Sequence, residues 1–268
     1  MASFSVVSNI SAANAQSNLT ATSIGLQRSI MRLSSGYRIN NAGDDAAGLA
    51  VANTYRSTQA VLNQGIRNAN DGLSALQIKD GALSNVGTLL DRLATLATQS
   101  ASAASNVDRT SLNAEFQDVL GEIDRESAVA GLMTASASFS VFVSNDGANG
   151  QVNGTIGAAS VTALFSTTTI VITSATAAAA VVASIATAVT RLGTAQSSIG
   201  TLENRLAFAI TLAGSQTVSN KAAESRIRDA NVAEESANLT RYNILTQSGI
   251  AALSQANQSS QSVLTLLR

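Results

Sequence analysis

The sequence has no proline, cysteine, tryptophan or histidine, its aromatic share is 3 % and its charged share 12 %. Without cysteine there are no disulfides, thiol catalysis or thiolate metal sites. Without histidine as well, only carboxylates remain as side-chain metal ligands, which excludes a zinc hydrolase of the usual kind. Few aromatics mean few large core anchors, because each buries roughly 150–250 Å². A thick core is therefore not expected; thin helix pairs of Leu, Ile, Val and Ala fit better. The net charge of −1 gives no electrostatic case for nucleic acid or anionic lipid. Met1–Asn9 lacks a cationic stretch followed by an apolar run, so no cleavable secretory signal is expected there. No segment reaches about 18 uninterrupted apolar residues. The nearest, Ala175–Val189, is Ala-rich and interrupted by Thr and Ser.

What is present is helical periodicity over nearly the whole chain. Leu19, Leu26, Ile30 and Leu33 step by seven, four and three, which describes one face close to a coiled-coil seam. The run Ser34–Gly43 is dense in Gly, Asn and Ser and reads as a loop. Asp44 or Asp45 can cap the next helix by accepting bonds from its unpaired N–H groups. From there to about Gln99, Leu62, Ile66, Leu73, Leu76, Leu83, Leu90 and Leu93 hold a three-four spacing. Fifty-odd residues at about 1.5 Å each give a helix of roughly 80 Å. Gly65, Gly72, Gly81 and Gly87 weaken it by about 1 kcal/mol apiece, so its stability is expected to come from neighbours.

A further helix is expected over about Arg109–Glu126, on Leu112, Phe116, Val119, Leu120 and Ile123. The middle then changes. Phe139–Val143 alternates, Asn145-Asp146-Gly147 supplies a turn, and Thr167–Thr173 is β-branched throughout, so short strands are expected in both runs. Helical pattern returns over about Ala175–Thr217, through Val182, Ile185, Val189, Leu192, Ile199, Leu202, Leu206 and Ile210. A last helix is expected from about Lys221, with Leu239, Leu245, Leu253, Ala256, Val263 and Leu267 near a second seam.

The expected fold is thus mainly α: long helices forming a coiled-coil rod from both termini, with a small β-hairpin region in the middle. The expected domains are 1–40 and 221–268 as two halves of an inner coiled coil, and 41–180 and 181–220 as two parts of a helical rod. The small β-rich middle lies at about 130–175. Each terminal seam is too thin to be stable alone, which favours ends that order on assembly. The ten seam residues are the candidate polymerisation surface: Leu19, Leu26, Ile30, Leu33, Leu239, Leu245, Leu253, Ala256, Val263 and Leu267.

Two long motifs are specific. Leu26–Asn40, continuing through Asp44-Asp45-Ala46-Ala47-Gly48-Leu49-Ala50, closely resembles the N-terminal hallmark of bacterial flagellins. Ala223–Glu235, Gln255–Gln258 and Val263–Arg268 resemble the family's C-terminal hallmarks. The resemblance covers roughly 1–130 and 180–268. It implies an inner coiled-coil layer from both termini, a second layer of long helices with a β-hairpin, and little or no outer domain. It implies a non-enzymatic subunit, without cofactor or metal, that polymerises into the flagellar filament for swimming. It further implies export by the flagellar type III apparatus with a chaperone, an extracellular location, and hook-associated and cap proteins as partners, with no nucleic-acid or membrane partner. A hook–filament junction protein shares such termini and is the alternative. Two departures stand out: Ser127–Thr134 replaces a Gln-Phe-Asn-Gly-like turn, and Ser259-Ser260 follows Ala-Asn-Gln where a proline is usual.

Arg92, Leu96 and Glu115 match positions that in many flagellins form a patch for the Toll-like receptor that senses flagellin. The plainer reading makes them filament contacts on a helix face, and both readings can hold together. Asp44-Asp45 reads as a carboxylate pair for acid–base work or as a helix cap with an ion pair to Arg38; lacking a third ligand, the cap is preferred. The charges at Glu224, Arg226, Arg228, Asp229, Glu234 and Glu235 read as a solvated or inter-subunit network. The Ser and Thr of the middle are candidate O-glycan acceptors by composition alone.

Overall fold

Absence of proline lets helices run unbroken, and the fold is built from that. The computed structural model describes residues 8–102, 108–133, 136–167 and 170–266. In chain order the elements are α1 (Ile10–Ser35), α2 (Ala46–Ala101), α3 (Arg109–Val129), β1 (Ser136–Phe142), β2 (Gln151–Gly157), α4 (Val161–Phe165), α5 (Ala175–Arg228) and α6 (Val232–Leu266). The chain divides into two compact units, Met1–Ser57 with Asn220–Arg268, and Thr58–Ser219; it passes between them within α2 and within α5.

The unit of residues 58–219 holds the larger core. Leu62, Leu76, Leu83, Leu90 and Leu93 of α2 are buried, as are Phe116, Leu120 and Ile123 of α3. Ile66, Leu73, Leu112 and Val119 pack at its margin. From α5 come Ile185, Leu192, Ile199, Leu202 and Leu206. The seven-residue spacing of Leu62, Ala69, Leu76, Leu83 and Leu90 keeps one α2 face inward. Val189, expected on the α5 face, is exposed, and Val181 is buried in its place. Ala178, Val181, Ile185, Ala188 and Leu192 make a 3-4-3-4 stripe, and Val189 lies one residue off it.

An antiparallel hairpin lies over these helices, with Ser136 opposite Gly157 and Phe142 opposite Gln151. Val141, Val143, Val152 and Ile156 turn into the core. Two α2 glycines make room for it. A Cβ on Gly65 would stand 1.7 Å from Val143 O, and one on Gly72 would stand 2.7 Å from Val141 Cγ2. Gly154 of β2 lies equally close under Leu202 of α5.

Four expectations are corrected. Thr167–Thr173 is not a strand: its described residues run irregularly into α5. Ile170 and Ile172 are buried there, and the backbone is held by side chains rather than by a ladder. Gln117 Nε2 donates to Ile170 O at 2.6 Å, Ser100 Oγ to Ile172 O at 2.6 Å, and Ile172 N to Asn113 Oδ1 at 3.0 Å. The second strand is Gln151–Gly157 instead. Its Gly and Asn content carries no strand signal of its own. The short helix α4 was also missed; Ser160 caps it, and Asp124 Oδ1 accepts from Val161 N at 2.8 Å.

The break between the last two helices falls at 229–231, not near 217–221. Nothing in Gln216–Lys221 breaks a helix, since the run has neither Gly nor Pro. Finally, α5 contains an 18-residue window of mean hydropathy 1.6, long and apolar enough to cross a membrane by length and composition alone. Its alanines raise the index, while its stripe of larger residues faces the core just described.

Candidate assembly surface and surface patch

In the unit of residues 1–57 and 220–268, α1 and α6 lie against each other. Asn9 caps α1, its Oδ1 accepting from Ala12 N, while its Nδ2 donates to Ala256 O at 3.0 Å. Leu19 packs on Gly249, and the Tyr242 ring lies on Gly25, where a Cβ would be 2.6 Å from Cε1. Arg32 Nη1 donates to Glu235 Oε1 at 3.0 Å. As the α1 number rises the α6 number falls in step, so the helices are antiparallel. Glycines at 25 and 249 let one helix receive the other's large side chain; a Cβ at 25 would displace the Tyr242 ring, and one at 249 would crowd Leu19 at 3.2 Å.

The end of this pair is closed by backbone. Gly36 takes the left-handed conformation, φ 76°, and ends α1 by donating to Arg32 O. Tyr37 then bridges Asp229; Arg38 N donates to Arg228 O at 2.6 Å, and Ala230 N to Gly36 O at 2.9 Å. The Arg228 guanidinium sits 4.2 Å over the Tyr37 ring, a cation–π contact. This clasp explains why the α5–α6 break lies at 229–231: those residues leave the helix to pair with the loop after α1.

The carboxylates divide their work. Asp45 Oδ1 caps α2 by accepting from Gly48 N at 2.8 Å. Asp44 Oδ2 accepts from Asn41 N at 3.1 Å and Asn40 N at 3.3 Å, which fixes the loop. The Asn41 N–H holds its carboxyl below the usual aspartate range, opposed by burial and helped by Asn40, Arg32 and Arg28. The expected ion pair to Arg38 is not formed. Arg28 lies 4.0 Å from Asp44, while Arg38 Nη2 donates to Ile227 O at 3.0 Å. Glu235, expected in a solvated or inter-subunit charge network, is buried beneath Arg32.

Of the ten seam residues, Leu19, Leu26, Leu33, Leu239, Leu253 and Ala256 are half-buried. Ile30 and Leu245 are exposed, beside the stripe along which the two helices meet. Two helices meet along one stripe, and the positions beside it stay in water. The side chain of Val263, and Leu267 altogether, lie outside the described residues. The tight contacts made by Gly25, Tyr242 and Gly249 were not anticipated; a lone glycine within a helical run was the available signal.

The surface of this pair has an unusual character. From Ile10 to Gln27 and from Tyr242 to Leu266 there is no charged residue. Within that span Ile10, Ile24, Ile244, Leu245 and Ile250 are exposed. Large aliphatics outward, with no charge to solvate the face, are what an association surface requires.

In the other unit, Arg92 Nε donates to Glu115 Oε1 at 2.9 Å, joining α2 to α3. Both side chains are about half exposed. Leu96 is not on the surface with them: it is 1 % exposed and belongs to the core. Leu93 and Leu96 both follow the buried stripe of α2, and Arg92 lies beside it, so the three cannot share an outer face.

Comparison with known proteins agrees with the ends of the chain. The family model described as the bacterial flagellin N-terminal helical region matches residues 6–130, and that of the C-terminal helical region matches residues 182–267. The flagellar filament 33 kDa core protein of Treponema phagedenis is 34 % identical, covering 97 % of this chain and 98 % of that one. Flagellin FlaB1 of Treponema pallidum is also 34 % identical with the same coverage. A flagellin of Halalkalibacterium halodurans is 36 % identical over 97 % of this chain and 98 % of its own.

Proposed function

Because this chain belongs to the bacterial flagellin family, and so is a structural subunit of the flagellar filament, we propose that copies of it polymerise through the charge-free faces of α1 and α6. The observation that carries this reading is the uncharged span of both helices with its outward Ile10, Ile24, Ile244, Leu245 and Ile250. An exposed aliphatic side chain gains about 1.5–3 kcal/mol when fully buried, and no charge has to be desolvated in exchange. The half-buried seam binds α6 to α1 within one subunit; the exposed residues beside it bind neighbours.

Family membership supports the rest of the proposal. The subunit is exported by the flagellar type III apparatus with a chaperone, and meets hook-associated and cap proteins at the filament ends. The family's role is structural, and catalysis has no part in this reading. For the Toll-like receptor that senses flagellin, the accessible part of the patch is the Arg92–Glu115 pair, with Leu96 supporting it from the core.

The test is complementation of a flagellin-deficient strain, viewed by electron microscopy. The full chain is expected to form filaments. A chain lacking Leu253–Arg268 is expected to form none, while its 58–219 unit stays folded. Normal filaments from the truncated chain would overturn the assignment of the α1–α6 faces.

A further inference from the structure

Two Asn-Gly pairs stand in the hairpin, at 149–150 and 153–154, and the structure treats them differently. Gly after Asn matters chemically, because a residue without Cβ leaves its backbone nitrogen open to the preceding side chain. Asn153 is exposed as well, but it lies within strand β2, where the ladder and two further bonds hold it. Its Oδ1 accepts from Ser140 Oγ at 2.8 Å and its backbone O from Arg205 Nη1 at 2.7 Å. Its register partner is Ser140, that of Gly154 is Phe139, and Leu202 lies against Gly154. Asn149 is exposed in the single 3₁₀ turn Gly147–Gly150 between the strands. Its backbone N donates to Asp146 O at 3.2 Å, and its side-chain amide has no hydrogen-bond partner among the described residues.

We infer that Asn149 is a site of spontaneous deamidation. Hydroxide removes the Gly150 amide proton, and that nitrogen attacks the Asn149 side-chain carbonyl carbon. The new C–N bond closes a five-membered imide, and ammonia leaves. Water then opens the imide to aspartate or isoaspartate, so the net change is one water consumed and one ammonia released. Bringing the Gly150 nitrogen to the Asn149 side chain disturbs one 3₁₀ turn and the two bonds that Gly150 O accepts at the end of the hairpin; freeing Asn153 requires the ladder to part in its middle.

The product changes the hairpin tip. A carboxylate appears beside Asp146, where like charges repel. Isoaspartate also lengthens the backbone by one carbon just before Gly150. That glycine is buried, and its carbonyl accepts from Val143 N at 2.7 Å and Ser144 N at 3.1 Å. A Cβ there would stand 2.2 Å from Ser144 O, so the closure has no slack.

The purified full chain, aged in mildly alkaline buffer, tests this by fragment-ion mass spectrometry and by enzymatic methyl labelling of isoaspartate. In the native chain, Asn149 is expected to convert about tenfold or more faster than Asn153, the margin set by local against ladder opening. In denaturant the two rates are expected to converge. Asn149→Gln should remove the isoaspartate that mass spectrometry maps to position 149, and Asn153→Gln should leave it. Equal native rates, conversion first at Asn153, or an intact Asn149 would each overturn the assignment.

Discussion

The same substitution, Gly→Ala, should act with opposite sign at two positions of α2. Helix propensity favours alanine by about 1 kcal/mol at either site. At Gly81 an added Cβ meets nothing within 4 Å, so that gain should appear undiminished. At Gly65 the Cβ would stand 1.7 Å from Val143 O, 2.5 Å from its carbonyl carbon and 2.8 Å from its Cα. Carbon and oxygen tolerate about 3.3 Å, so the hairpin must withdraw by about 1.5 Å. The obstacle is backbone, and no side-chain rotation relieves it. Withdrawal stretches the Asn68 Nδ2 bond to Phe142 O, 3.2 Å in the native fold, and uncovers Val141 and Val143. Overpacking costs about 1–3 kcal/mol; the backbone clash places this case at the upper end, leaving about 2 kcal/mol of net destabilisation. For a unit of this size each kcal/mol moves Tm by about 2–4 °C. Gly81→Ala should therefore raise the melting temperature by about 2–4 °C and Gly65→Ala lower it by about 4–8 °C. Circular dichroism melts give the shifts, and amide hydrogen exchange of β1 and β2 locates them. A neutral or stabilising Gly65→Ala with unchanged hairpin protection would refute the reasoning.

Two further outcomes concern the clasp at the end of α1. Arg32→Ala leaves Glu235, whose side chain is 9 % exposed, without its ion-pair partner. It should destabilise the α1–α6 pair by about 3 kcal/mol, seen as lost helicity in circular dichroism; Arg32→Lys should recover part of it, and parental stability in both variants would count against a buried pair. Asp44 has a folded pKa lowered from its ordinary 3.8. Its contribution is present above that ordinary value and is lost as pH falls through the lowered one. Asp44→Asn should flatten the acid limb of the stability–pH curve of this pair, and an unchanged acid limb would exclude the loop anchor.

Much of the fold was legible because it is repetitive. With no proline and a steady three-four spacing of leucine, α2 and α3 could be placed to within three residues at either end. The family could be recognised from Leu26–Ala50 and Ala223–Glu235, because local motifs survive without knowledge of contacts. Elements specified by partners were not legible. Thr167–Thr173 has strand composition yet is held by Gln117, Ser100 and Asn113. Gln151–Gly157 has turn composition yet pairs with β1.

By itself, then, the sequence determined a helical, cysteine-free, histidine-free chain with long charge-free stretches near both ends, since composition and periodicity act locally along the chain. Tertiary structure alone decided which residues meet. It made Gly65 and Gly72 seats for the hairpin while leaving Gly81 a plain weak point. It set Tyr242 on Gly25 and Glu235 under Arg32, drew Leu96 into the core, and turned Ile30 and Leu245 outward. The physical reason is that a periodic pattern says that a face is apolar, whereas the depth of its burial depends on how many neighbours surround it. Two helices at the chain ends cover one stripe, and what they leave bare is the uncharged face proposed above for assembly.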